Sequence, residues 1–232
     1  MATPVVYTAI GDSLTFGTGA PPGEGFAEAL RREWMKGRFA GRNVELRKFG
    51  FVGATAGELL ERLRRDAELR RAAAESDVVT LTAGGNDLIR AAMRMYIRGE
   101  TSSMKPGMRD FMRGYRELLA ELAALVRAGS REPGVIIAVN CYNPFPRMRD
   151  ARLWIGFLNR CIRRYAGEFG DAVRVADAYG AFFGRERRLL AADGIHPNAR
   201  GHRELAACAA RALAGTAAGT AMAPAELWGA AR

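Results

Sequence analysis

The chain has 232 residues, of which 49% are hydrophobic and 26% charged, with a formal net charge of +10. That balance is ordinary for a globular domain with one substantial core, and no apolar run approaches the eighteen or so residues that a membrane-spanning helix needs. Cys141, Cys161 and Cys208 are widely spaced with no Cys-x-x-Cys pair, which speaks against a disulfide framework or a zinc knuckle and for buried thiols.

In chain order, residues 5–10 form the first β-rich run, entered directly from Met1-Ala2-Thr3-Pro4 without a basic leader, so the reading is a cytoplasmic protein. Gly11-Asp12-Ser13-Leu14 follows it. A helix is expected at 25–36, a second strand at 44–48, and Gly53 just beyond it. Residues 57–71 read as a helix, with Leu59, Leu60, Leu63 and Ala67 on one stripe. A third strand at 78–82 runs into Thr82-Ala83-Gly84-Gly85-Asn86-Asp87. The Met-rich stretch 89–112 reads either as helix core or as a lid. A helix at 115–128, a strand at 135–140 and the loop 142–146 come next. The remainder reads as a helix at 149–169, a strand at 173–176, Asp193-Gly194-Ile195-His196-Pro197, and a last helix at 199–213.

Five strands alternating with helices predict an α/β fold, a parallel sheet covered on both faces. One domain is expected over 1–214, with a loosely ordered Ala-, Gly- and Thr-rich tail at 215–232. The segments at 11–14, 53, 84–87 and 142–146 each follow a strand, on the carboxyl edge where an open parallel sheet binds ligands, and 193–197, beyond the fifth strand and before the last helix, is expected to complete that edge.

Ser13 has two readings. Asp and Ser favour helix N-caps, which makes Gly-Asp-Ser structural; as a nucleophile, Ser13 needs an imidazole base and a carboxylate to orient it. Of the two histidines, His196 has Asp193 three residues earlier, and His202 has no such neighbour and reads as an anchor of the last helix. Asn86 and the backbone N–H of Gly53 are candidate donors to an oxyanion; each also has a plain reading, as a helix cap and as a glycine at a strand exit. Walker A, His-Glu-x-x-His and Gly-x-Gly-x-x-Gly patterns are absent, and no metal ligands cluster.

Taken jointly, Gly-Asp-Ser-Leu, the isolated Gly53, Gly-x-Asn-Asp and Asp-x-x-His-Pro resemble the SGNH, or GDSL, hydrolase superfamily over residues 5–206. Gly85-Asn86-Asp87-Leu88 and Asn143-Pro144-Phe145-Pro146 are similar to its lysophospholipase L1-like and spore-germination-lipase-like members. The resemblance implies a flavodoxin-like three-layer α/β/α sandwich with a five-stranded parallel sheet. It implies Ser13 as nucleophile, His196 as base and later acid, and Asp193 as its partner, with the Ser13 and Gly53 N–H groups and the Asn86 amide as oxyanion hole. No metal or organic cofactor is implied. Lys48-Phe49 stand before Gly50 where many members begin this block with Asn.

The expected reaction is hydrolysis of a small-molecule or lipid ester through an acyl-enzyme, lysophospholipids included. Met93, Met95, Phe145 and Ile195 are the candidate acyl-pocket residues, since unbranched thioethers line adaptable pockets. Carbohydrate O-deacetylation and thioester hydrolysis use the same machinery. A non-catalytic basic protein on nucleic acid or anionic lipid is the reading from another class, and it leaves the four motif residues without a purpose.

Overall fold

A computed structural model describes residues 3–100, 104–129 and 134–215. The tail expected at 215–232 lies outside the described residues from 216 onward.

The chain runs β1 (Val5–Gly11), α1 (Ser13–Phe16), α2 (Phe26–Lys36), β2 (Val44–Gly50), α3 (Ala56–Arg65), α4 (Ala67–Ala74), β3 (Val78–Thr82) and α5 (Gly85–Arg98). It continues through α6 (Met104–Gly129), β4 (Val135–Val139), α7 (Arg149–Gly167), a 3₁₀ turn at Gly170–Ala172, β5 (Val173–Ala176), α8 (Ala178–Phe182), α9 (Glu186–Leu189) and α10 (Ala199–Ala214). The strands form one parallel sheet in the order β2-β1-β3-β4-β5. Consecutive strands β2 and β3 therefore lie on opposite sides of β1. This reversal puts a crevice at the carboxyl ends of β1 and β3.

Strand side chains alternate between two cores. Ile10, Val79, Leu81, Ile136 and Ala138 face one layer with residues of α3, α4, α6 and α7. Val5, Tyr7, Ala9, Val78, Ile137 and Val139 face the other, with α2, α8 and α10. Both faces of the sheet are covered, in keeping with the unbroken apolar run of β4 and with β3, which is buried at every position.

Two sequence expectations are corrected. The helix expected at 57–71 is two helices, because Asp66 takes extended backbone dihedrals and its carboxylate accepts the N–H groups of Glu68 and Leu69. A side chain that caps a new helix offers the backbone an alternative to continuing the old one. The strand at 135–140 stops at Val139. The Asn140 N–H still donates to Ala176 O, and its side chain donates to Asp177 and accepts from the Tyr179 N–H, which ties the end of β4 to the turn after β5.

The Met-rich stretch divides. Met104 and Met108 are buried in α6, and Met108 belongs to the first core. Met93 on α5 stands in solvent and Met95 is half-buried.

Candidate active site

The crevice is built from four segments. At the end of β1, Asp12 caps α1 by accepting the Leu14 N–H at 3.0 Å, and it also accepts the Thr82 hydroxyl at 2.9 Å. Because the one Thr82 proton goes to Asp12, the Thr15 hydroxyl at 2.9 Å must donate to Thr82. This buried knot fixes the turn on which Ser13 sits.

His196 Nε2 lies 3.0 Å from Ser13 Oγ, and His196 Nδ1 lies 2.6 Å from Asp193 Oδ2. The second carboxylate oxygen, Oδ1, accepts the N–H groups of Ile195 and His196, each at 2.9 Å. The hydrogen bond from the His196 ring, then that from Ile195 N–H, pull the Asp193 carboxyl down to about 2. An ionised carboxylate only accepts, so Nδ1 carries the ring proton and Nε2 presents a lone pair to the serine hydroxyl.

The histidine loop is held from three sides. Leu190 and Pro197 form an antiparallel bridge, and the Tyr142 hydroxyl donates to Ile195 O at 2.7 Å. His202, buried in α10, accepts the Phe26 N–H at Nδ1 and donates from Nε2 to Thr18 O. This pins the 17–25 loop to α10, the anchoring role expected of His202, and Gly19 in that loop packs against His196 and Pro197. Burial pushes its pKa down, in keeping with that neutral tautomer.

Facing Ser13, the segment after β2 is pinned by three residues of α5. The Asn86 amide donates to Ala54 O at 3.0 Å, Asp87 accepts the Ala56 N–H at 3.0 Å, and Arg90 donates to Gly53 O at 2.7 Å. Gly53 has φ +79°, a left-handed conformation that glycine adopts without cost. Neither its N–H nor that of Ser13 has an acceptor among the described residues. One Asn86 amide hydrogen remains after the bond to Ala54. All three groups therefore keep a free donor at the carboxyl edge of the sheet.

Lys48, where the second block departs from the family pattern, donates to Phe16 O at 3.2 Å and to Glu28 at 2.5 Å. It clamps the end of β2 onto α1. Lys48, Asp12, Asp87, Arg90 and Tyr142 hold the site in place without belonging to a motif that announces such a role. For Arg90 no local signal exists, since its partners Gly53 and Glu58 are 37 and 32 residues away.

Two clefts flank the Gly53 segment. The larger, about 600 Å³, is lined by Phe51, Gly53, Ala54, Arg62 and Arg90 among others, and the smaller, about 350 Å³, lies among α3, α5 and α6. Met93, Met95, Phe145 and Ile195 line neither. Phe145 is exposed, and Ile195 is half-buried beside the histidine.

A parallel sheet with a Ser-His-Asp chain on its carboxyl edge is the build of an α/β serine hydrolase. Comparison with known proteins specifies which. The chain belongs to the GDSL-like lipase/acylhydrolase family, whose model matches residues 9–204, and it is a carboxylic ester hydrolase. The spore germination lipase LipC of Bacillus licheniformis is 29% identical over 198 residues, 84% of this chain and 90% of that protein. Among solved structures, the lipase Lip_vut3 from a goat rumen metagenome superposes with a TM-score of 0.80 at 28% identity, covering 90% of this chain and 97% of that one. Axe2, an acetylxylan esterase from Geobacillus stearothermophilus, shares the fold with a TM-score of 0.68 at 22% identity, covering 90% of this chain and 94% of that one. No described helix is long and apolar enough to cross a membrane.

Proposed function

We propose that Ser13 attacks the carbonyl carbon of a small or medium acyl ester, lysophospholipids included. His196 Nε2 takes the hydroxyl proton and passes it to the departing alcohol, and Asp193 stabilises the imidazolium between those steps. The tetrahedral oxyanion is received by the Ser13 and Gly53 N–H groups and by Asn86 Nδ2. Water, deprotonated by His196, then releases the acid. The observation that carries the reading is the continuous chain from Ser13 Oγ through the His196 ring to Asp193, at 3.0 and 2.6 Å. Met93, Met95, Phe145 and Ile195 are the proposed acyl-side residues, supported by the exposure of Met93 and Phe145 to solvent that a bound chain displaces. A cytoplasmic setting belongs to the proposal and suits three free cysteines.

Hydrolysis of a p-nitrophenyl ester series from acetate to long acyl chains tests it. Ser13→Ala is expected to lose about a thousandfold to a millionfold in kcat with its fold intact, and Asn86→Ala about a hundredfold to a thousandfold. Full activity in Ser13→Ala would refute the assignment. The chain-length optimum sorts substrates, a sharp maximum at acetate favouring a deacetylase, and a parallel series of acyl thioesters, if preferred, favours a thioesterase.

A further inference from the structure

Apolar side chains stand in solvent beside this site. On the last turns of α5, Met93, Tyr96 and Ile97 are exposed, Ile97 to 73%. On the loop after β4 and the first turn of α7, Phe145, Met148 and Leu153 are exposed as well. The two groups meet, because the Tyr96 hydroxyl donates to Asp150 Oδ2 at 2.6 Å. The same loop touches the histidine segment through Tyr142 and Ile195 O. The patch is therefore continuous with the rim of the site. A contiguous apolar surface of this kind marks an interaction face.

Charge specifies the partner. Arg147, Arg149 and Arg152 are exposed and have no carboxylate partner among the described residues. Asp150, the one acidic residue in 145–153, is engaged by Tyr96, and the whole chain carries +10. Thioether and branched aliphatic side chains enter the acyl boundary of a bilayer, while guanidinium groups bind its phosphates bidentately.

We propose that this face docks on an anionic lipid surface, delivering lipid esters to Ser13; the delivery rests on the ester-hydrolase reading, whereas the docking is measurable without turnover. The full chain carrying Ser13→Ala is sedimented with phosphatidylcholine vesicles and with equimolar phosphatidylcholine and phosphatidylglycerol vesicles. Binding is expected to the mixed vesicles, to weaken as salt rises, and to be weak on phosphatidylcholine alone. Neutralising the arginines in Arg147→Gln/Arg149→Gln/Arg152→Gln is expected to weaken the partition on the order of fivefold per charge. Met148→Ser/Leu153→Ser is expected to weaken it too. In the Ser13 background both variants should hydrolyse soluble p-nitrophenyl acetate as the wild type does. No vesicle binding, equal binding to both vesicle types, binding unchanged in both variants, or tighter binding to an oligonucleotide would each overturn the inference. Loss of soluble-ester activity in the wild type would instead strike at the hydrolytic reading and leave the vesicle result standing.

Discussion

Asp12, the neighbour of Ser13, is buried, and burial raises its carboxyl to about 6 against the hydrogen bonds from Leu14 N–H and Thr82. Asp87, which holds the Gly53 segment through Ala56, is raised to about 6 by burial as well. Both folded values lie above the ordinary carboxyl value of 3.8, so between about pH 4 and 6 the folded state binds more protons than the unfolded state. Stability from these groups is accordingly highest at low pH and falls as pH rises through that window. Asp193 has the opposite sign: its lowered value stabilises the fold above about pH 4, and that contribution is lost as pH falls toward 2. Asp12→Asn keeps an acceptor for Leu14 N–H and abolishes the charge. It is expected to flatten part of the decline in Tm between about pH 4 and 6.5 and to stabilise the protein by about 2 kcal/mol at the upper end. A melting profile parallel to wild type would show that Asp12 does not titrate there. Ser13, His196 and Asp193 are legible in the sequence because motif order implies a common sheet edge. Burial of Asp12 is not, since its partner Thr82 is 70 residues away and only the pairing of β1 with β3 brings them together.

Between β2 and α1 there is no room for a side chain. A Cβ at Gly50 would overlap the backbone N and Cα of Phe16, the last residue of the helix that begins with Ser13. Its φ is not left-handed, so the glycine serves close approach rather than conformational freedom. Gly50→Ala must lift α1 from β2 and carry Ser13 away from His196. Overpacking of this kind costs about 1–3 kcal/mol, and kcat on p-nitrophenyl acetate is expected to fall by about tenfold or more, since misplacement by about an ångström costs rates of that order. Wild-type kinetics and Tm in Gly50→Ala would mean that the strand and helix relax apart freely. The five strands are readable as short β-rich runs, and the helical segments at 57–71 and 115–128 by their apolar period. The division at Asp66 is visible in retrospect, because after Leu63 the next buried leucine is Leu69, out of step with a 3.6-residue period. For α5, the mixed polar and thioether sequence leaves helix core and lid equally open, because the helix packs on α6 along one side and leaves its outer face in solvent.

At the scale of the molecule, the sequence supports a parallel sheet but not its order, because strand alternation is the same for any arrangement. The order β2-β1-β3-β4-β5 decides that Ser13 and Asn86 exit neighbouring strands. That sheet is also the shared wall of both cores. Leu30 on α2 lies in one and Leu122 on α6 in the other, each fully buried. Truncating either to Ala removes apolar contacts and leaves a cavity, at a cost of about 2–5 kcal/mol. If residues 1–214 fold as one domain, as the shared sheet argues, each variant will lower the midpoint of a single transition followed by both far-UV and near-UV circular dichroism. The sheet separates the two sites, so they share no partner and the double variant Leu30→Ala/Leu122→Ala should lose the sum of the two single costs within about half a kcal/mol. Two resolved transitions, each moved by only one of the substitutions, would show instead that the layers unfold independently. The site would then draw its rigidity from the α2–α10 layer that holds His202, separately from the α3–α6 layer that pins Gly53.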